Sequence, residues 1–154
     1  MIVRPGTPAD VPRALEIWRA AVDATHTFLT PEHRAEIDVL VAEHFLPSAA
    51  LILAEDDARI VQGFLVMAGD MIDALFVDPA VHGRGFGTAL LTRALEIAPE
   101  ATVDASEQAT NALPFYEARG FVRTGRSETD PDGRPYPLVH LRYSSAGAAF
   151  KLGA

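Results

Sequence analysis

Residues 71–98, MIDALFVDPAVHGRGFGTALLTRALEIA, constrain the fold of this chain more than any other stretch. Met71–Val77 is apolar at nearly every position, which suits a strand covered on both faces, and Asp78-Pro79 breaks it. From Phe86 onward Leu90, Leu91, Ala94, Leu95 and Ile97 recur at helical spacing, until Pro99 stops the helix. Between the two runs lies His82-Gly83-Arg84-Gly85-Phe86-Gly87-Thr88. Its glycines at alternate positions leave backbone N–H groups uncovered where the helix begins. The first turn of a helix has unsatisfied donors and a partial positive charge, so the turn suits phosphate oxygens, and Arg84 can add a charged contact. The alternative is a turn that only lets strand and helix pack closely, because glycine patterns alone are weak evidence.

The rest of the chain supplies elements around this unit. Ile2–Arg4 reads as a strand. Thr7-Pro8-Ala9-Asp10 starts a helix, with Thr7 as N-cap, Pro8 in the first helical position, and Val11, Leu15, Trp18 and Val22 as its apolar face. Thr30-Pro31 repeats the start signal. Ile37, Leu40, Val41, His44 and Phe45 form a second stripe that Pro47 ends, with His44 on the core side. Leu51–Ala54 and Ile60–Met67 flank a polar turn and predict an antiparallel hairpin. Ala101–Ala105 is a short strand, Thr110–Arg119 a helix with Pro114 in its first turn, and Gly120 its cap. Phe121–Arg126 and Pro137–Tyr143 pair across the turn Asp130-Pro131-Asp132-Gly133. The order β-α-α-β-β-β-α-β-α-β-β predicts an α+β fold: a mixed, mostly antiparallel sheet with flanking helices and a parallel pair around the glycine-rich helix. Residues 1–143 are expected to form a single domain and 144–154 a small-residue tail.

Composition narrows the function. With 154 residues, 49% of them hydrophobic and 22% charged, the chain fits one globular domain. It has no cysteine, so disulfides, thiolate metal sites and a cysteine nucleophile are excluded. The net charge of −8 argues against nucleic-acid binding, while a local basic patch can still hold a phosphate ligand. The opening Ile-Val-Arg reads as a strand rather than a secretory leader, and no apolar run spans a membrane, so a cytoplasmic protein is expected. Histidine and carboxylate spacings predict no metal, and without a G-x-S-x-G element a serine hydrolase is disfavoured. Asp104, about twenty residues beyond Gly83, suits a dinucleotide fingerprint, but the gap after Val77 and the misplaced third glycine argue against one.

Val77-Asp78-Pro79 … Gly83-Arg84-Gly85-Phe86-Gly87-Thr88-Ala89-Leu90-Leu91 resembles the acetyl-CoA-binding motif of the GCN5-related N-acetyltransferases (GNAT), Q/R-x-x-G-x-G/A. Phe115-Tyr116-Glu117-Ala118-Arg119-Gly120-Phe121 resembles the later F-Y-x-x-x-G-F signature of that family. The resemblance covers residues 1–143. Stretches around Val22–Leu29 and Thr124–Leu138 look like its bacterial YjaB-type branch. It implies a cleft where two central parallel strands splay within a three-layer α/β/α arrangement. Acetyl-CoA would lie there, its pyrophosphate on the residues His82 to Thr88 and its pantetheine arm along Leu75, Phe76 and Val77 like an added strand. An amine would attack the thioester directly in a ternary complex, with Tyr116 protonating the departing thiolate. The partners implied are acetyl-CoA and an amine acceptor, for a monomer or homodimer. A non-catalytic acetyl-CoA-binding module or sensor is the alternative.

Three departures matter. His82 replaces the Gln or Arg at the head of the motif, and Ala109 replaces an asparagine found in many family members. Met71 occupies the position of a glutamate base, so proton removal from the amine needs another group. Asp73 shares a strand face with Leu75 and Val77, and is either a perturbed catalytic carboxylate or a buried structural hydrogen-bonder. Asp104 ends a strand at the mouth where ligands bind open sheets, as a water or amine anchor or as a helix cap. His26 lies between the first two helices, as a substrate or base residue or as a plain loop residue. Tyr116 has a core alternative too, which the neighbouring Phe115 can satisfy in its place.

Overall fold

The computed structural model describes residues 1–145. Residues 146–154, most of the expected tail, lie outside the described residues. Thr7 opens the first helical segment as expected: its backbone N–H donates to the Asp10 carboxylate at 2.8 Å. A 3₁₀ turn over Pro8–Asp10 leads into α1, Val11–Thr25, which buries Ala14, Ile17, Trp18, Ala21 and Val22. The Thr30 hydroxyl accepts from the His33 N–H and starts α2, Pro31–Leu40. Pro47 does not end the helical run. A π turn over Val41–Phe45 carries it into α3, Leu46–Ser48, where Pro47 sits in the first turn, the place a missing N–H costs least. That wider turn also leaves His44 exposed instead of in the core, while Leu46 is fully buried.

The strands are β1 (Ile2–Pro5), β2 (Ile52–Glu55), β3 (Val61–Ala68), β4 (Met71–Val77), β5 (Thr102–Ser106), β6 (Phe121–Ser127) and β7 (Leu138–Tyr143). They form one seven-stranded sheet in the order β1-β2-β3-β4-β5-β7-β6, antiparallel except for β4 against β5. Helix α4, Phe86–Ile97, makes the crossover between those parallel strands, and α5, Ala112–Glu117, follows β5. Pro114 lies in the first turn of α5, and Gly120 takes a positive φ of 102° beyond its end.

Two apolar clusters separate the layers. Leu90, Leu91 and Ala94 of α4 and Tyr116 of α5 pack on Leu65, Ile72, Val103, Val139 and Leu141 of one sheet face. Ile17, Trp18 and Val22 of α1, with Leu46, pack on Leu53, Phe64, Val66 and Ala74 of the other. The result is the expected α+β fold with helices on both faces of a mixed sheet.

Two details of β4 shape the middle of that sheet. Only Met71↔Thr102 and Ile72↔Val103 pair with β5, so the two strands part immediately afterwards. On the other side Val66 pairs with Ala74 but Met67 with Ile72, which makes Asp73 the extra residue of a bulge.

Candidate active site

Where β4 and β5 part, a cleft of about 550 Å³ opens. It is walled by β4, β5, the glycine turn, α4, α5 and the end of α1, and thus brings together residues far apart in the sequence. Asp73, Asp104, Tyr116 and His26 all line it, as do Leu75, Phe76, Val77, His82, Gly83, Gly85, Phe86, Gly87 and Thr88. Arg84 does not, and stands exposed.

The glycine turn has the geometry of an open cradle. Gly83 and Gly85 hold φ values of 79° and 93°, which β-carbon-bearing residues rarely adopt, and Gly85 is the N-cap of α4. A Cβ on Gly83 would meet nothing within 4 Å, so the turn faces open space. Gly87 is required for another reason: a Cβ there would come 3.1 Å from the Phe115 ring, where α4 and α5 touch. The His82 imidazole donates from Nε2 to the Val77 carbonyl at 3.0 Å and ties the loop to the end of β4.

Beside the cradle the cleft displays a cation that no local pattern announced. Arg119, on the turn after α5, donates to Thr88 Oγ1 at 3.1 and 3.2 Å and to the Phe115 carbonyl at 2.8 Å. Its guanidinium carbon lies 4.0 Å over the Phe115 ring. The apolar wall, the helix N-terminus and this guanidinium together fit a long ligand that carries phosphate at one end. Past Ile72 the β5-facing edge of β4 has no strand partner, so its backbone is available to an extended ligand.

The far end of the cleft carries the titratable groups. Tyr116 is only 6% exposed, with its ring edge-on to those of Phe115 and Phe121. It is the more buried of the Phe115–Tyr116 pair, contrary to the expectation that Phe115 would take the core place. Its hydroxyl bonds to no other described residue, and burial raises its pKa well above the ordinary phenol value. It therefore stays protonated at any working pH.

Asp73 is neither buried nor hydrogen-bonded within the sheet: the bulge leaves it exposed on the cleft wall. Asp104 follows Val103, the last residue of β5 paired with β4, and its carboxylate contacts the His140 ring at 2.6 Å. It caps no helix. One carboxylate thus follows the last rung on each splayed strand. Ser106, Asn111 and Arg119 also line the cleft and lay outside the candidates drawn from sequence; the buried Ser106 hydroxyl has no partner among the described residues.

Across the cleft, Thr25 donates its single hydroxyl proton to the Ala21 carbonyl at 2.7 Å. The 2.7 Å contact between that hydroxyl and His26 Nδ1 must then run from Nδ1–H to oxygen, which leaves Nε2 with its lone pair. Burial lowers the His26 pKa, so the ring is neutral near pH 7. Phe28 follows at 5.3 Å between ring centroids, and Tyr136 lies 5.8 Å beyond. Tyr136 accepts from the Thr30 N–H and contacts His33 Nδ1 at 2.5 Å, binding the loop before β7 to the start of α2.

Comparison with known proteins agrees with this geometry. The acetyltransferase (GNAT) domain family matches residues 22–136. The peptidyl-lysine N-acetyltransferase YjaB of Salmonella typhimurium is 47% identical over 131 residues, covering 85% of this chain and 90% of that protein. The solution structure of apo-form YjaB from Escherichia coli superposes with a TM-score of 0.87 at 43% identity, over 93% of this chain and 98% of that one. The PaiA N-acetyltransferase of Thermoplasma acidophilum, solved in complex with coenzyme A, shares the fold at 17% identity, with a TM-score of 0.72 over 93% and 100% of the two chains.

Proposed function

This chain belongs to the GNAT acetyltransferases and is an acetyl-CoA-dependent N-acetyltransferase; from that premise we propose that its acceptor is the ε-amine of lysine side chains in proteins, acetylated by direct attack in a ternary complex. The observation that carries this reading is the pair of carboxylates, Asp73 and Asp104, one on each strand just past the last β4–β5 rung. Two acidic groups at the throat attract and hold a cationic amine, and the net charge of −8 adds a long-range pull of the same sign. The relatives' action on peptidyl-lysine supports the same acceptor class. The YjaB-like chain is read as one domain over residues 1–143, acting in the cytoplasm.

Acetyl-CoA, when bound, supplies an activated acetyl group on a thioester. The N–H groups at the start of α4 and the Arg119 guanidinium hold its phosphates, and the open edge of β4 over Leu75 to Val77 aligns the arm. Asp73 binds the incoming ammonium. That ammonium first gives one proton to water. Asp104 then takes a second from the neutral amine as its nitrogen lone pair engages the acetyl carbon, and His26 Nε2 accepts a hydrogen bond from the amine on the opposite wall. Tyr116 gives its proton to the departing sulfur. Burial makes the phenol a weaker acid, but the same low-dielectric surroundings raise the basicity of a thiolate, so the two stay matched.

Thiol release from acetyl-CoA, measured against a panel of amines, tests this. Lysine-containing peptides should be turned over well above free small amines, with the acetyl group found on the ε-nitrogen by mass spectrometry. Preference for a neutral aromatic amine or for an α-amino terminus would refute the lysine assignment.

A further inference from the structure

Asp104 does not reach the cleft alone. His140 stands opposite it in the β5–β7 ladder, and its Nδ1 lies 2.6 Å from Asp104 Oδ1. The other ring nitrogen, Nε2, lies 2.7 Å from Ser127 Oγ on β6. Three adjacent strands thereby carry a Ser–His–Asp chain whose acid end lines the cleft, while His140 and Ser127 lie behind it. The hydroxyl is on the wrong side of the chain to meet a substrate in this cleft, which rules out the nucleophilic use of the same three residue types.

The sheet is shaped to hold this chain. Arg123 pairs with Leu141 but Gly125 with His140, so Thr124 is the extra residue of a bulge that sets Gly125 beside the imidazole. A Cβ on Gly125 would come 3.3 Å from His140 Cδ2, so glycine makes the room for the ring. An ionised carboxylate can only accept, so Nδ1 carries the proton, and in the neutral ring Nε2 accepts from the Ser127 hydroxyl. Asp104 Oδ1 is then held in place, while Oδ2 has no hydrogen bond within the described residues.

We propose that His140 is a positioning residue of the acetyl transfer: it fixes the Asp104 carboxylate so that Oδ2 faces the amine, and Ser127, donating to Nε2, holds the ring in that orientation. This rests on the reading of Asp104 as proton acceptor. In the step itself the neutral amine's lone pair forms the C–N bond, and one N–H proton passes to Asp104, whose carboxylate becomes a carboxylic acid. The thioester C–S bond breaks, its electron pair leaving on sulfur, which takes the Tyr116 proton. The Nδ1 proton stays on His140 throughout.

The test is a mutant cycle at saturating acetyl-CoA with chemistry limiting. Loss of alignment typically costs about a hundredfold, so His140→Leu should lower kcat about tenfold to a hundredfold and leave KM for acetyl-CoA near wild type. His140→Asn, whose amide N–H can take the place of Nδ1–H, should restore most of the rate. Asp104→Asn combined with His140→Leu should be no slower than Asp104→Asn alone. Independently of turnover, long-range ¹H–¹⁵N spectra should show the His140 proton on Nδ1 in the wild type, and still on Nδ1 in Ser127→Ala with the Nε2 resonance shifted by the lost hydrogen bond.

Wild-type kcat in His140→Leu beside a slow Asp104→Asn would overturn the positioning role alone. So would losses that multiply in the double variant, an Asn variant as slow as Leu, or a wild-type ring protonated only on Nε2. A fast Asp104→Asn would instead remove the proton-acceptor reading, and the positioning role with it. If His140→Leu does not fold, the Asn variant and the spectra decide.

Discussion

Tyr116→Phe isolates one atom of the reaction. The ring contacts to Phe115 and Phe121, at 5.1 Å each, are kept by phenylalanine. The hydroxyl has no hydrogen bond to lose among the described residues, so stability should change by no more than about 1 kcal/mol, and upward if at all. In the proposed role, what disappears is the proton for the departing sulfur. A positioned acid contributes about 10²–10⁴-fold, and a thiol with a solution pKa near 8.5 is a fair leaving group, so a loss of about 10²-fold in kcat is expected. That corresponds to about 2.7 kcal/mol of transition-state stabilisation. Single-turnover thiol release measures it, with acetyl-CoA affinity from calorimetry and folding from a thermal melt as controls. Because burial holds the phenol protonated, the wild-type rate should show no fall from this group up to about pH 10. A Phe variant that turns over at the wild-type rate would assign Tyr116 to the core alone.

Gly85→Asp should weaken acetyl-CoA binding at least about tenfold, because it puts a carboxylate and a Cβ at the positive-φ N-cap of α4; unchanged affinity by calorimetry would reduce the turn to a packing device. Arg119→Ala should raise the acetyl-CoA dissociation constant about tenfold with kcat little changed, as a charge-assisted contact contributes about 1.5–3 kcal/mol; an effect confined to kcat would refute the phosphate role. Arg19 and Arg34 hold the Asp38 carboxyl down to about 2 in the folded protein, below its ordinary 3.8. Its contribution to stability is therefore complete above about pH 4 and lost as pH falls through about 2. Asp38→Asn should lower the melting temperature at pH 7 and much less at pH 2, and an equal drop at both would remove this ion pair from the acid limb.

Much of the fold was legible locally. Met71–Val77 and Phe86–Ile97 were readable to the residue because an apolar strand, a proline break and a helical stripe are each written in consecutive positions. The cradle was legible for the same reason: the positive φ of Gly83 and Gly85 is a demand that only glycine meets cheaply. Tyr116 came from a motif rather than from any physical signal of its own, since an aromatic beside Phe115 reads equally as core.

Tertiary structure alone decided the rest. Asp73 looked buried from its neighbours and is exposed, because a one-residue bulge in the β3–β4 register re-aims it. Nothing near His44 announces the π turn that swings it out to solvent. The splay after Ile72↔Val103, which opens the cleft, depends on strands joined by a whole helix. His140 and Arg119 gave no signal, because their meaning lies in Asp104 and Thr88, partners set by strand register and helix packing. Periodicity and capping record what each residue asks of its immediate neighbours, so the sequence by itself determined the elements, their buried faces and the glycine turn. Which side chains meet across the cleft is a property of long-range register, and only the folded sheet determines it.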